Sequence, residues 1–336
     1  MGSEMRIERA ELTDALRQMQ ASLGETPTHA AAWDAVRDAG WLGLTVPEAQ
    51  GGLAQSLTAA CWMHEELGRA LSPAPVLAAL VAAEALKACP QSDARDAALE
   101  AIVGGDAPAV SLIDAEKGGD IAGGGRVIGV AGAESATQLL VIGEDRVALV
   151  PIAGVTAHPT WDQTRSLSDV TVGGDAVVLA KGNDAAVAAQ AASVHLHVGL
   201  AADCVGAADA LLTRTVAYLQ ERKQFDRPLA MFQALKHRCA DLKVAIAQAE
   251  ALLTDTLSTL AQGDGNAVLL AKSAKALASS HFRLVAEEAL QLHGGMGMTE
   301  EHPCHLYLKR SLLNEHLGTP DDDCDVAAGR ELVAAN

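Results

Sequence analysis

The strongest constraint on the fold is a pair of apolar stripes in the last third of the sequence, each spaced by three and four residues. The first stripe runs from Leu235 to Leu260 and the second from Ala271 to Leu292, and "AQGDGNA" separates them. This spacing predicts two long amphipathic helices joined by a turn. Small residues along the seam favour an antiparallel pair within a four-helix bundle. The stripe positions are Leu235, Cys239, Leu242, Ile246, Ala249, Leu253, Leu257, Leu260, Ala271, Ala274, Ala278, Phe282, Val285, Ala289 and Leu292.

The remainder of the sequence shows two further patterns of residues, one typical of helices and one typical of strands. The text from Glu8 to about Val103 has helical periodicity interrupted by Gly/Pro turns, and "SPAP" begins a helix expected over Val76 to Ala88. From about Asp106, short β-branched runs alternate with Gly, Asp and Pro, which is typical of a small antiparallel β-barrel or sandwich. We therefore expect three domains: an N-terminal helical domain (1–107), a middle β domain (108–182) and a C-terminal helical bundle (183–336).

Charge and cysteine usage limit the partners of this chain. With a net charge of -18, the 336-residue chain has no basic face for nucleic acid. The six cysteines are scattered without a C-x-x-C pair, so we expect reduced thiols in a cytoplasmic protein. The sequence shows neither an apolar signal core near its start nor an 18-residue apolar run, so we expect no membrane span.

Three local motifs occur in a fixed order along the chain. They are "GWLGLTVPEAQGGL" from Gly40, "RKQFDRPLAMFQALKHRCADL" from Arg222 and "EEALQLHGGMGMTEEHPCHLYLKRS" from Glu287. Their order and spacing resemble those of the acyl-CoA dehydrogenase family, whose second motif is R-K-x-F-G and whose third contains Q-(I/L)-x-G-G-x-G. The resemblance covers nearly the whole chain and implies the same three-part fold and the dehydrogenation of an acyl-CoA thioester.

The resemblance also implies a set of residues that bind FAD. In the family, the second motif crosses a subunit interface and holds the pyrophosphate of the neighbouring subunit's FAD. Arg222 suits that role because its guanidinium donates a bidentate pair of hydrogen bonds to phosphate oxygens. The same comparison implies that two glycines approach the dinucleotide closely through their backbone. The complete set implied to bind the cofactor is Arg222, Phe225, Gln233, Gln291, Gly294, Gly295 and Thr319.

The general base of the family has no counterpart at its two usual positions. Family members take the acyl α-proton with a Glu, most often in Y-E-G-T, while the β-hydride leaves for the flavin. Alignment on "LGT" places Leu317 at that Glu, and the second known position corresponds to Leu196. Glu315 is a substitute candidate, but on a helix it points about 200° away from Leu317. The acidic run 321–323 is the other candidate, or a solvated tail.

The family's own-subunit flavin motif, T-E-P-x-A-G-S-D, is replaced by "IDAEKGGDIAGGG" from Ile113. Its hydroxyls are missing, so the chain resembles the partner subunit of heterotetrameric (α2β2) acyl-CoA dehydrogenases that shorten steroid or bile-acid side chains. This implies a homologous partner subunit that carries the catalytic Glu, an acyl-CoA substrate and electron-transferring flavoprotein as acceptor. Two alternatives stay open: a self-sufficient homomeric enzyme with a relocated carboxylate, and a non-enzymatic scaffold with the same fold.

Two histidine-containing motifs invite a metal interpretation. They are "HLH" at His195 and His197 and "HPCH" from His302 to His305. Residues two apart on a helix face different directions, and no carboxylate accompanies them. We therefore expect hydrogen-bonded or surface histidines and no metal. We also expect Trp161, in "TWDQTR", to pack within the β domain rather than to clamp a substrate.

Overall fold

The computed structural model describes residues 7–24, 26–112, 125–263 and 266–334. Helices come first, six strands follow, and helices return with one short hairpin between them, so the fold class expected from the sequence is confirmed. The helices are α1 (Arg9–Leu23), α2 (His29–Asp38), α3 (Leu57–Arg69), α4 (Val76–Ala88), α5 (Asp93–Gly104), α6 (Asn183–Glu221), α7 (Gln233–Gln262), α8 (Ala267–His293), α9 (Cys304–Asn314) and α10 (Asp321–Ala334). The strands are β1 (Ala109–Leu112), β2 (Gly125–Ala131), β3 (Gln138–Ile142), β4 (Arg146–His158), β5 (Leu167–Val172), β6 (Val177–Lys181), β7 (Lys223–Gln224) and β8 (Arg227–Pro228).

Side-chain caps fix the starts of several helices. The Thr28 hydroxyl accepts a hydrogen bond from the Ala31 amide at the start of α2, and Ser92 does the same for Arg95 in α5. These caps satisfy backbone donors that a helix start leaves without intrahelical partners. Gly105 ends α5 with φ of +93°, a conformation that other residues rarely adopt.

The middle β region is one curled six-stranded sheet. Its strand order is β1-β3-β4-β5-β2, and β6 pairs with β4. The expectation of a purely antiparallel arrangement was wrong for one pair, because β1 and β3 run parallel. Strand β2 lies between them in sequence but pairs with β5, at the other end of the strand order. The chain therefore leaves β1, crosses to β2 and returns to β3 in the same direction as β1. A bulge between Ile152 and Gly154 lets the long β4 pair first with β3 and then with β5.

The chain divides into two compact units. The first comprises Met1–Ala60 and Pro73–Leu196, and contains the sheet together with α1, α2, α4 and α5. The second comprises Cys61–Ser72 and His197–Asn336, and contains α7 to α10. Helices α3 and α6 each contribute a segment to both units. The boundaries of the three expected domains stay a prediction.

Within the second unit, α3 and α6 approach each other at backbone distance. A Cβ atom built on Gly206 of α6 would overlap the carbonyl oxygen of Glu65, and one on Gly68 would overlap that of Asp203. Only glycine allows two helices to pack this closely. The buried guanidinium of Arg310 in α9 is paired with Asp203, which ties α9 to the same place.

Helix α6 bears on the expectation that the chain has no membrane span. Its 39 residues are long and apolar enough to cross a membrane by length and composition, although no such segment was expected. Of its most apolar window, 61% is buried inside the protein, as in the core helix of a soluble protein. The helix is therefore weak evidence for a membrane span.

Candidate functional site

The residues expected to bind a phosphate begin with a two-stranded hairpin before α7. Strands β7 and β8 pair through Lys223 and Pro228, and the turn residues Phe225 and Asp226 both have positive φ, +52° and +61°. Such a turn normally takes Asn, Asp or Gly, so the hairpin holds Phe225 in an unfavourable backbone conformation, whereas Asp226 is tolerated there. The ring of Phe225 is 83% exposed at the tip, and Arg222 is exposed beside it.

Helices α7 and α8 bring Gln233 and Gln291, the two glutamines expected to bind FAD, to one end of the second unit. Arg238 of α7 donates to Glu288 of α8 through Nε at 2.7 Å, and His281 Nδ1 lies 2.7 Å from the Ala245 carbonyl. Both contacts belong to one antiparallel register. In that register Gln233 of α7 lies opposite His293, the last residue of α8. Gln291 of α8 lies opposite Leu235 of α7. Both glutamine side chains are therefore at the same end of the helix pair. Both glutamines are exposed there.

Two glycines follow directly at the end of α8. Gly294 has φ of +60°, and Cβ atoms built on Gly294 and Gly295 would meet no atom within 4 Å. The backbone at this point therefore faces open space that a ligand can approach.

The end of α6, which leads into the hairpin, reaches the end of α8, where the Tyr218 hydroxyl donates to the His293 carbonyl. The hairpin with Arg222 and Phe225, the two glutamines and the two glycines therefore lie at the same end and are exposed. This exposed cluster offers cationic, amide and backbone donors that suit the pyrophosphate of FAD.

Thr319 does not belong to this cluster. Its carbonyl oxygen accepts a hydrogen bond of 2.9 Å from Lys275 Nζ, and its amide donates to His197 Nε2 at 3.3 Å. Lys275 lies 16 residues before Gln291 on α8, which corresponds to about 24 Å along the helix axis. The structure therefore gives Thr319 a place in a separate network around Lys275, and its predicted role toward FAD stays a prediction.

The segment aligned with the usual base is held by Lys275, whose side chain is fully buried. Its ammonium donates to the carbonyl oxygens of Glu315 and Thr319, each at 2.9 Å, and to Asp321 Oδ1 at 2.6 Å. The other oxygen of Asp321 accepts from the Ser279 hydroxyl. These hydrogen bonds fix the backbone on both sides of Leu317, which is half-buried. The sequence analysis did not predict a role for Lys275. The one feature that could have indicated it is the position of this lysine next to Ala274, within the apolar stripe of α8.

The two nearby carboxylates that could replace the base both have cationic partners. Arg283 Nη1 lies 3.2 Å from Glu315 Oε2, and Asp321 is paired with Lys275. Burial raises the pKa of Glu315, while Arg283 opposes that rise. Asp322 and Asp323 are exposed in the first turn of α10, where carboxylates interact favourably with the helix dipole.

Two other expectations concern the first unit. Trp161 does not pack inside the β region: 82% of its surface is exposed, so that expectation was wrong. The loop after β4 turns it outward, and the buried side chain next to it is Asp162, whose carboxylate accepts from the Thr164 amide and hydroxyl. The altered flavin segment from Ile113 lies, up to residue 124, outside the described residues.

The histidines singled out in the sequence occupy different environments. His195 and His197 are both 1% exposed, and burial lowers the pKa of His195 to about 3. His302, by contrast, lies with Cys304 beside His293, and one potential ligand atom from each of the three lies within 4.8 Å of the others. The sequence motif supplied two members of this group, and only the fold adds His293.

Comparison with known proteins matches both helical ends of the chain to family models. Residues 6–106 match "Acyl-CoA dehydrogenase, N-terminal domain", and residues 187–321 match "Acyl-CoA dehydrogenase, C-terminal domain". Among curated proteins, the chain is similar to the acyl-CoA dehydrogenase IpdE2 of Mycolicibacterium smegmatis. The two are 35% identical over 296 residues, which cover 87% of this chain and 84% of that protein.

Solved structures with the same fold span nearly the whole chain. One is described as the "Tcur3481-Tcur3483 steroid ACAD G363A variant"; it has a TM-score of 0.84 and 25% identity, and covers 97% of this chain and 98% of its own. Another is the ChsE4-ChsE5 complex from Mycobacterium tuberculosis, with a TM-score of 0.84 and 24% identity over 99% of each chain. The similarity therefore extends through the region that lies between the two family models.

Proposed function

Because this chain belongs to the acyl-CoA dehydrogenase family, whose members oxidise the CH–CH bond of acyl-CoA with FAD, we propose that it acts as one subunit of a heteromeric enzyme. In this proposal the chain supplies the exposed cluster around Arg222 and Gln291 to an FAD shared with a homologous subunit. That partner supplies the carboxylate that removes the α-proton. Electron-transferring flavoprotein is the proposed acceptor.

The observation that carries the proposal is the state of the base region. Alignment of the sequence on "LGT" assigns Leu317 to the usual position of the Glu, and its aliphatic side chain cannot take a proton. Glu315 and Asp321, the nearest carboxylates in sequence, are paired with Arg283 and Lys275. Burial raises the pKa of Glu315 and Arg283 opposes that rise, while Lys275 holds Asp321 in an ion pair, so each carboxylate is already bound to a cation. In this proposal the carboxylate that removes the α-proton therefore comes from the partner subunit.

The exposed hairpin supports a role at an interface between subunits. Phe225 is held with positive φ and is 83% exposed. A strained backbone that presents a large apolar ring to water is typical of a binding element, because a partner or ligand covers the ring. When FAD is bound, its flavin accepts the hydride from the acyl β-carbon. Arg222 would neutralise the pyrophosphate, and Gln233 and Gln291 would orient the dinucleotide through their amides.

A steroid-derived acyl-CoA is the proposed substrate class. The support is the similarity over nearly the full chain to a structure described as a steroid ACAD named for two components, Tcur3481 and Tcur3483. A second structure of the same fold is a complex of two components, ChsE4 and ChsE5. Both descriptions agree with a two-subunit assembly.

The test compares the isolated chain with the assembled complex. We expect the purified chain alone to hold no stoichiometric flavin and to reduce no dye with acyl-CoA. Coexpression with a homologous subunit that carries Y-E-G-T should yield a complex with bound flavin and acyl-CoA oxidation. A tightly held flavin that acyl-CoA reduces in the isolated chain would show that the chain is self-sufficient.

A single substitution separates the proposal from the homomeric alternative. Glu315→Gln keeps the size of the side chain but removes the carboxylate, so in the complex the rate of acyl-CoA oxidation should stay within about twofold. The matched control is Glu287→Gln, which removes the other carboxylate bound by Arg283. A loss of about 100-fold or more in Glu315→Gln alone would identify Glu315 as the base.

A further inference from the structure

His293, His302 and Cys304 form a compact cluster behind the two glycines. His293 ends α8 and is 3% exposed, and Cys304 begins α9 and is fully buried. The Cys304 sulfur lies 3.5 Å from His293 Nδ1, and the centroids of the two imidazole rings are 4.4 Å apart. Tyr218 stacks on His293 with a centroid distance of 4.4 Å and lies edge-on to His302 at 6.3 Å. The cluster therefore combines two imidazoles and a thiol in a site closed on one side by an aromatic ring.

The hydrogen bonds of His293 determine which of its nitrogens can bind a ligand. Nδ1 lies 2.8 Å from the carbonyl oxygen of Ala289, an acceptor, so Nδ1 carries the proton. Nε2 then holds a lone pair, and among the described residues it is one of the buried side-chain atoms without a hydrogen-bond partner. An imidazole that donates one N–H to a backbone carbonyl and keeps the other nitrogen free has the arrangement found in metal-binding histidines. A buried nitrogen of this kind otherwise costs free energy.

We propose that His293, His302 and Cys304 bind a Zn²⁺ ion. Two imidazole nitrogens and one thiolate are ligands that zinc prefers, and three protein ligands leave the fourth tetrahedral position to water. Binding replaces the thiol proton of Cys304 by the metal and releases that proton to solvent. This proposal replaces the expectation from sequence that the chain holds no metal.

The geometry must adjust to reach a tetrahedral site. One nitrogen or sulfur atom from each residue lies within 4.8 Å of the others, whereas bonds of about 2.0–2.3 Å to one ion bring ligand atoms to roughly 3.3–3.8 Å. The Cys304 sulfur lies beside Nδ1 of His293, so binding through Nε2 also requires the thiol to rotate toward the other edge of the imidazole ring. His302 is half-exposed and lies before α9, and its Nδ1 accepts only a long hydrogen bond of 3.4 Å from the Cys304 amide, so its ring can turn toward the ion. The same exposure gives the ion a path from solvent.

A bound ion would join the two ends of one segment. His293 and Cys304 flank residues 294–303, which include Gly294 and Gly295. Zinc would hold both ends of this segment at fixed distance and would stabilise the folded chain by binding to it alone. We expect the melting temperature to rise with added Zn²⁺.

Cobalt replaces zinc in the test because Co²⁺ in such a site absorbs light. The purified full-length chain, free of any polyhistidine tag and treated with a chelator, is titrated with Co²⁺. We expect one equivalent to give a thiolate-to-cobalt charge-transfer band and the intense visible bands of a tetrahedral site, and Zn²⁺ to displace it. Cys304→Ser should abolish the charge-transfer band, and His302→Gln should weaken Co²⁺ binding by more than about 10-fold.

Matched controls use a neighbouring histidine and a distant thiol. His305→Gln changes a histidine of the same motif that is not part of the cluster, and Cys239→Ser changes a half-exposed cysteine on α7. Both variants should bind Co²⁺ as the unmodified chain does. The half-exposed His302 gives a variant that does not depend on replacing a buried group. A chain that gives no charge-transfer band, or one whose band survives Cys304→Ser or is lost equally in His305→Gln, would overturn the proposal.

Discussion

The fully buried ammonium of Lys275 lies 2.6 Å from the carboxylate of Asp321, and this ion pair joins α8 to the start of α10. The same ammonium also donates to the carbonyl oxygens of Glu315 and Thr319. One side chain of α8 therefore contacts the turn between α9 and α10 on both sides of Leu317. Lys275 holds this turn jointly with backbone hydrogen bonds, in which the Leu317 and Asp321 amides donate to the Leu313 and Glu315 carbonyls.

Replacing Lys275 by Met should destabilise the chain strongly. The substitution leaves the Asp321 carboxylate without its cation and two carbonyl oxygens without their donor, so we expect a loss of about 3 kcal/mol in the free energy of unfolding. Denaturant unfolding measures this loss. Lys272→Met, one turn earlier on α8 and half-buried, is the matched control and should cost less than about 1 kcal/mol. Equal effects of the two substitutions would contradict the role of Lys275.

Arg222 should contribute to FAD affinity in the assembled complex. Arg222→Ala removes a charge-assisted pair to the pyrophosphate, so we expect FAD binding to weaken by about 2–3 kcal/mol. Arg222→Lys should recover only part of this, because an ammonium cannot make the bidentate contact. Flavin occupancy over a dilution series is the measurement, and Lys236→Ala on the exposed face of α7 is the control. Unchanged occupancy in Arg222→Ala would remove this residue from the proposed site.

Restoring a carboxylate at the usual position should not restore activity to the chain alone. Leu317→Glu places an unpaired carboxyl group in a half-buried position, which should cost about 1–3 kcal/mol of stability or raise the pKa of the new carboxyl group. We expect a lower melting temperature and no acyl-CoA oxidation with added FAD and an electron acceptor. Turnover by this variant without a partner subunit would indicate a complete flavin pocket within the chain and favour the homomeric enzyme.

The buried His195 should make stability depend on pH. Burial lowers its pKa to about 3 in the folded chain, with a smaller contribution from Lys87. Between that value and the ordinary histidine pKa of about 6.5, the unfolded chain binds a proton that the folded chain does not. Stability therefore falls as the pH drops below about 6.5, by up to about 1.4 kcal/mol per pH unit from this residue.

Comparison of variants isolates the contribution of His195 from those of other histidines. His195→Gln should flatten the pH dependence of the unfolding free energy between pH 7 and pH 5, whereas His316→Gln, at an exposed position, should not. The slope is the readout, so a change in overall stability does not affect the comparison. A slope unchanged by His195→Gln would show that folding does not lower the pKa of this imidazole.

The sequence alone determined the order of helices, strands and helices, because the period of apolar residues follows directly from helix and strand geometry. The expected start and end of α4 at Val76 and Ala88 agree with the structure, and the buried residues of α8 include each stripe position from Ala271 to Leu292. Local motifs likewise indicated the family and the cluster around Arg222.

Only the tertiary structure decided which side chains meet across long sequence separations. The parallel pairing of β1 with β3, the outward position of Trp161 and the contact of Lys275 with residues 315–321 depend on packing between distant segments. The cluster of His293, His302 and Cys304 is a further example. The sequence motif contains His302 and Cys304, but His293 lies beside them only because the end of α8 is close to the start of α9 in the folded chain. Periodicity fixes which face of an element is apolar, whereas the partners of a buried polar group follow from how those faces pack together.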